Sequence, residues 1–197
     1  MRIILASNSP RRKELLSQLG VIFDIIPSEF EEQLVEGMTP AETVEHFACM
    51  KASDVAGEVE GEALVIGSDT IVYLDGIMGK PADRQEAAAM LRRLSGMQHL
   101  VLSGISVINT ATGEQLTGHE VTKVRMKELT DDEIYAYIDT GEPMDKAGAY
   151  AIQGIGSLFV EGIEGDYFNV VGLPLFRLGS MLEQFGLKLI STTGGMA

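Results

Sequence analysis

Hydrophobic and polar positions along the chain alternate between short apolar runs and longer stretches with helical spacing. Ile3 to Ala6 reads as a buried strand. It hands over to a helix whose N-cap is Ser9 and whose first position is Pro10, with Leu15, Leu16 and Leu19 on one face and Gly20 as the stop. Val21 to Ile26 reads as a second strand closed by Pro27. Thr39-Pro40-Ala41-Glu42 is a capping box, and Val44, Phe47, Ala48, Ala52 and Val55 form the apolar stripe of the helix it opens.

The longest apolar strand runs from Ala63 to Leu74, and Asp75-Gly76 after it is a hairpin signal. Asp83 to Glu86 caps a helix carrying Ala87, Met90, Leu91 and Leu94 and ending at Gly96. Strands follow at Leu100 to Ile108 and Val121 to Met126, then a helix capped at Thr130-Asp131-Asp132-Glu133 that buries Ile134, Tyr137 and Ile138. Gly165 to Pro174 reads as a turn and strand, and Leu175 to Phe185 as the last helix. No repeat or low-complexity linker interrupts this order, which predicts one α/β domain over residues 1–190 and a flexible tail at 191–197. A two-lobed form of such a domain places its small-molecule cleft between the lobes.

Five polar features break the pattern. The first helical turn holds Arg11, Arg12 and Lys13, whereas a helix N-terminus favours acidic neighbours. Either the turn is a solvated basic face, or its free N–H groups and forked guanidinium donors meet an anion. Lys51 falls inside the apolar stripe of its helix, where a lysine either snorkels to water or presents its ammonium inward. Asp69 lies mid-strand between apolar runs, flanked by Ser68 and Thr70, and a buried carboxylate has to be paired, metal-bound or at a cleft edge. The acidic loop Ser28-Glu29-Phe30-Glu31-Glu32 is solvated surface or a set of oxygen ligands for a hard cation. Lys80, in Gly79-Lys80-Pro81, is a further candidate cation, although the glycine spacing excludes a P-loop.

Composition narrows the partners. Of 197 residues 45% are hydrophobic, and no run is long enough to span a bilayer. A net charge of −14 argues against a general nucleic-acid binder, because most of the surface repels phosphates. A small anion in a local basic pocket is compatible with it. Cys49 is the single cysteine, so neither an internal disulfide nor a thiolate-rich zinc site is expected. With no signal-peptide pattern after Met1-Arg2, the cytoplasm is the expected compartment and no membrane is an expected partner.

Taken together, Ser7-Asn8-Ser9-Pro10-Arg11-Arg12, Glu31-Glu32, Lys51, Ser68-Asp69-Thr70, Gly79-Lys80-Pro81, the run from Asp145-Lys146 to Gln153-Gly154 and the run from Gly165-Asp166 to Leu175 resemble the Maf family of nucleoside triphosphate pyrophosphatases. The likeness spans nearly the whole chain in the family's order. It implies a mixed β-sheet flanked by helices, two lobes with a central cleft, similar to inosine triphosphate pyrophosphatases. It implies hydrolysis of a nucleoside triphosphate to the monophosphate and pyrophosphate with Mg²⁺ or Mn²⁺, and a homodimer.

Arg11, Thr70 and Gln153 match the branch acting on dTTP and UTP and not the one acting on 7-methyl-GTP. Asp69 then takes the family's proton-accepting place, with Arg12, Lys51 and Lys80 as the catalytic cations. Ser7, Ser9, Arg11, Thr70, Lys146 and Gln153 are the substrate and specificity positions, and Glu31, Glu32 and Asp69 the metal ligands. Asp69 is open to either role, base or ligand. Two rival readings are a purine triphosphate pyrophosphatase on the same fold and a nucleotide-binding regulator of division without turnover. The loop Gly76-Ile77-Met78-Gly79 is shorter than the family's usual approach to Lys-Pro.

Overall fold

The computed structural model describes residues 1–190, so the tail expected at 191–197 lies outside the described residues. Strand β1 (Arg2–Leu5) buries Ile3, Ile4 and Leu5. Helix α1 (Pro10–Ser17) follows, with the Ser9 hydroxyl accepting from the Arg12 N–H and no acid in its first turn. Strand β2 is only Asp24–Ile25, both exposed, instead of the whole apolar run 21–26. It lies parallel to β1 through two residue pairs, so the apolar residues before it pack as loop.

Helix α2 (Pro40–Ala56) starts from the reciprocal Thr39/Glu42 box. Strand β3 (Ala63–Tyr73) pairs parallel with β1 and antiparallel with both β5 (Gln98–Asn109) and the short β4 (Ile77–Met78). Helix α3 (Arg84–Leu94) lies between β4 and β5 in the chain. Strand β6 (Gln115–Met126) is twice as long as its apolar pattern indicates, because the mostly polar run from Gln115 to Glu120 pairs rung by rung with Ile108 to Ser103 of β5. After α4 (Asp131–Asp139) and a series of 3₁₀ turns, β7 (Val160–Glu164) closes the far edge. Among the described residues the sheet has seven strands, in the order β2-β1-β3-β5-β6-β7 with β4 beside β3.

The expected strand within 165–174 is instead helix α5 (Tyr167–Val171). Asp166 caps it by accepting from the Phe168 N–H at 2.8 Å, and Gly172 ends it at φ +124°. Such acid-to-glycine bracketing marks a short helix, and it outweighs the β-branched residues between. Helix α6 (Leu175–Gln184) completes the described chain. No helix among the described residues is long and apolar enough to cross a membrane.

Two larger apolar clusters divide the interior. One packs α3 and α4 on the sheet with Tyr137, Tyr150 and Phe159, and the other packs α1 and α6 with Leu16, Ile66 and Leu178. A cleft of about 420 Å³ opens between them, with Val72, Val101 and Tyr150 on one side and Ile152 and Val171 on the other. Helix α2 lies against β3 and β5 at Gly67 and Gly104. A Cβ at Gly67 would sit 2.2 Å from the Ala48 carbonyl oxygen, and one at Gly104 2.0 Å from that of Val44. Only glycine permits backbone to approach backbone so closely.

Candidate active site

That close seating brings Lys51 over the middle of β3. Its Nζ donates to Asp69 Oδ1 at 2.6 Å and to Glu32 Oε1 at 2.5 Å. The Lys51 side chain is only 12% exposed and that of Asp69 6%, so the ammonium points inward and does not snorkel to water. Asp69 Oδ2 is buried with no hydrogen-bond partner. A buried ionised oxygen left unpartnered is costly, and Asp69 is one of the residues that line the cleft. Glu32 arrives on the loop after β2. The Ser28 hydroxyl at 2.7 Å and the Glu29 N–H at 2.8 Å tie that loop to the Asp54 carboxylate, whose pKa they hold below the ordinary value. Phe30 packs on Phe47 with ring centroids 6.0 Å apart.

Arg12 forms the second centre. Its Nε donates to the Gly172 carbonyl at 2.8 Å, Nη2 to Thr70 Oγ1 at 3.1 Å and Nη1 to Ser7 Oγ at 3.4 Å. Burial pulls its pKa down, opposed by Asp69 and Glu32, yet a guanidinium stays charged. Behind it runs a hydrogen-bond chain with a fixed sense. Ser103 Oγ donates to the Asn169 carbonyl at 2.8 Å, so the 2.8 Å contact between Thr70 and Ser103 is donated by Thr70. Thr70 is therefore left as an acceptor for Arg12. The Asn169 amide donates to the Val101 carbonyl at 3.0 Å and to Thr122 Oγ1 at 2.9 Å, fastening α5 to β5 and β6. This fixes the Gly172 carbonyl on which Arg12 rests; the Ser68 hydroxyl lies 3.2 Å from it and 2.8 Å from the Gly104 carbonyl, with one proton to donate between them.

The opposite wall carries Lys80, Lys146 and Gln153. Arg11 reaches across to Asp145 Oδ2 at 3.3 Å, and Asp145 also pairs with Lys146. Gly148 donates to the Gly79 carbonyl at 3.0 Å, holding the short loop so that Lys80 reaches the cleft. Ser7 accepts from the Ser9 N–H at 3.1 Å, and both serines line the cleft. Of the residues singled out from sequence, the structure brings all but Glu31 to this one cleft; Glu31 is exposed and outside its lining. Sequence reasoning missed Ser103, Asn169, Tyr137 and Glu142. The partners of Ser103 and Asn169 lie 66 and 68 residues away, and only polar types inside apolar runs could have marked these two, whereas Tyr137 and Glu142 pair with each other and with the backbone of the following loop.

Among the described residues no three His, Cys, Asp or Glu side chains gather as metal ligands. Mg²⁺ is commonly held by one or two carboxylates together with substrate phosphates. The free Asp69 Oδ2 and the neighbouring Glu32 are a donor set of that kind.

Residues 2–185 match the family model described as Maf-like protein. The chain belongs to this family. It is 55% identical over 190 residues to the dTTP/UTP pyrophosphatase of Alkaliphilus metalliredigens, covering 96% of this chain and 99% of that protein. It is 52% identical over 196 residues to the dTTP/UTP pyrophosphatase of Acetivibrio thermocellus, covering 96% and 98%. Among solved structures, a HAM1 protein from Coxiella burnetii has a TM-score of 0.49 at 18% identity, over 93% of this chain and 99% of that one. A nucleoside-triphosphatase (dITP/XTP pyrophosphatase) from Mycobacterium abscessus has a TM-score of 0.43 at 18% identity, over 72% and 95%.

Proposed function

We propose that this Maf-like protein hydrolyses dTTP and UTP to the monophosphate and pyrophosphate. The observation that carries the reading is Asp69, buried in the cleft with one oxygen on Lys51 and the other free. A carboxylate so placed can accept a proton at Oδ2 from a water attacking the α-phosphorus. As the bond from that phosphorus to the bridging oxygen breaks, charge grows on the departing pyrophosphate, and cations in a water-poor site stabilise it. Arg12, held at three nitrogens, has N–H donors left for phosphate oxygens, and Lys80 and Lys146 stand on the facing wall. Lys51 orients Asp69 and Glu32 and offsets their repulsion.

Mg²⁺ or Mn²⁺ held by Asp69 and Glu32 would neutralise phosphate charge and acidify water when bound. Gln153 presents a donor and an acceptor to the N3–H and a carbonyl of uracil or thymine. The relatives named dTTP/UTP pyrophosphatases support that substrate choice over a purine nucleotide. A buried carboxylate, Asp69, beside the cations favours turnover over mere binding in a regulator. A homodimer, as the family resemblance implies, and the cytoplasmic location expected from the sequence complete the reading.

The test is pyrophosphate release from a panel of nucleoside triphosphates by the wild type and by Asp69→Asn. Release from dTTP and UTP should exceed that from GTP and ATP, and should fall at least 100-fold in the variant while nucleotide still binds. Near-normal rates in Asp69→Asn would remove it from the mechanism.

A further inference from the structure

Gln153 sits in a loop whose shape comes from a pair of residues outside the proposed chemistry. The Tyr137 hydroxyl, on α4, donates to Glu142 Oε1 at 2.9 Å and accepts from the Ala151 N–H at 3.2 Å. The Glu142 carboxylate then accepts from the Gly156 N–H at 2.9 Å and the Ile155 N–H at 3.1 Å. Backbone groups on both sides of Gln153 are thus fastened to one phenol and one carboxylate. The fit is tight. A Cβ at Gly154, which has φ +67°, would lie 2.5 Å from Glu142 Oε2, and one at Gly156 2.6 Å from the Tyr137 hydroxyl. The Glu142 carbonyl also accepts from Lys146 Nζ at 3.0 Å, so the same residue supports a cation of the cleft wall.

Tyr137 is buried and stacks edge-on against Phe159, centroids 5.0 Å apart. Its packing needs only the ring, and phenylalanine would supply that. The hydroxyl, Glu142 and the two glycines are instead specialised for holding 151–156 at a set depth. Gly156 and Ile155 N–H groups keep the Glu142 carboxyl ionised, below its ordinary pKa, against the burial that would raise it.

We propose that Tyr137 and Glu142 are positioning residues for base selection: they hold the Gln153 loop close enough to admit a pyrimidine ring and exclude a purine. The inference rests on the reading of the cleft as a nucleoside triphosphate site with its base at Gln153. Loosening the clamp lets the loop withdraw, which weakens contact with a small base and makes room for a larger one.

The experiment compares kcat/KM for UTP with that for GTP in the wild type, Tyr137→Phe, Glu142→Gln and Gln153→Ala. The ratio cancels any loss of folded enzyme, which a merely structural role would produce. Tyr137→Phe and Glu142→Gln should each lower the ratio at least fivefold, chiefly through a higher KM for UTP with kcat within threefold. If Glu142→Gln does not fold, Tyr137→Phe decides alone. Ratios within twofold of wild type in the folded variants would overturn the proposal. An unchanged ratio in Gln153→Ala would sink the reading of Gln153 as the base contact and the proposal with it, whereas a ratio changed in Gln153→Ala but not in the other two variants would overturn the clamp alone.

Discussion

Two buried polar side chains show what a single residue contributes here, and one of them is outside the proposed chemistry. His99 Nε2 lies 2.6 Å from the Tyr150 hydroxyl, its Nδ1 is buried without a partner, and Tyr150 lines the cleft. Burial lowers the His99 pKa from 6.5 to about 4, and burial likewise raises that of Tyr150. A histidine whose folded pKa is depressed binds its proton more readily in the unfolded chain. The contribution of this one group is therefore fully present above about pH 6.5, declines as pH falls toward 4 and changes no further below, a loss of about 3 kcal/mol from His99 alone. His99→Gln keeps a hydrogen-bonding partner for Tyr150 and does not titrate. Urea unfolding at pH 7 and pH 4 should show a smaller acid loss in this variant, by roughly 2–3 kcal/mol; an equal loss would mean that His99 does not titrate with folding. Asp69 was legible from sequence because a carboxylate between apolar runs must be accounted for. His99 precedes a run of the same kind and gave no such signal, since a neutral imidazole is a common core residue.

At the scale of elements, the site depends on how closely α2 approaches the sheet. Gly67 and Gly104 let the helix backbone touch the strands, and from that seat Lys51 spans to both Asp69 and Glu32. Gly104→Ala would force a methyl into the Val44 carbonyl and should destabilise by about 2–3 kcal/mol, the upper range for overpacking. It should also lower kcat/KM by lifting Lys51 from Asp69. Gly179→Ala, in α6 with open space around it, serves as control and should be neutral or stabilising by about 0.5–1 kcal/mol. Thermal melts and UTP turnover check both; a stable, fully active Gly104→Ala would contradict the seating. The capped helices were readable because a cap is a local pattern, as at Ser9, Thr39 and Thr130. Strand β7 and the first half of β6 were not. Val-Glu-Gly-Ile-Glu and Gln115 to Glu120 are strands only because β6 and β5 lie beside them.

Across the whole molecule, a chain of net charge −14 gathers Arg11, Arg12, Lys51, Lys80 and Lys146 around one cleft between two apolar clusters. The acidic exterior repels polyanions in general, while converging cations in a low-dielectric recess favour a small one. The cation positions were visible singly in the sequence, and the resemblance joined them. Their supports were not, because Ser103 and Asn169 act through partners 66 and 68 residues away. The measurement that tests the account most directly is hydrolysis of UTP in ¹⁸O-labelled water, with the label traced by mass spectrometry. Attack at the α-phosphorus, with Asp69 accepting the proton, puts the label in the monophosphate and leaves the pyrophosphate unlabelled. Label in pyrophosphate, or release of UDP and orthophosphate, would contradict the assignment of Asp69 and its cations to that bond.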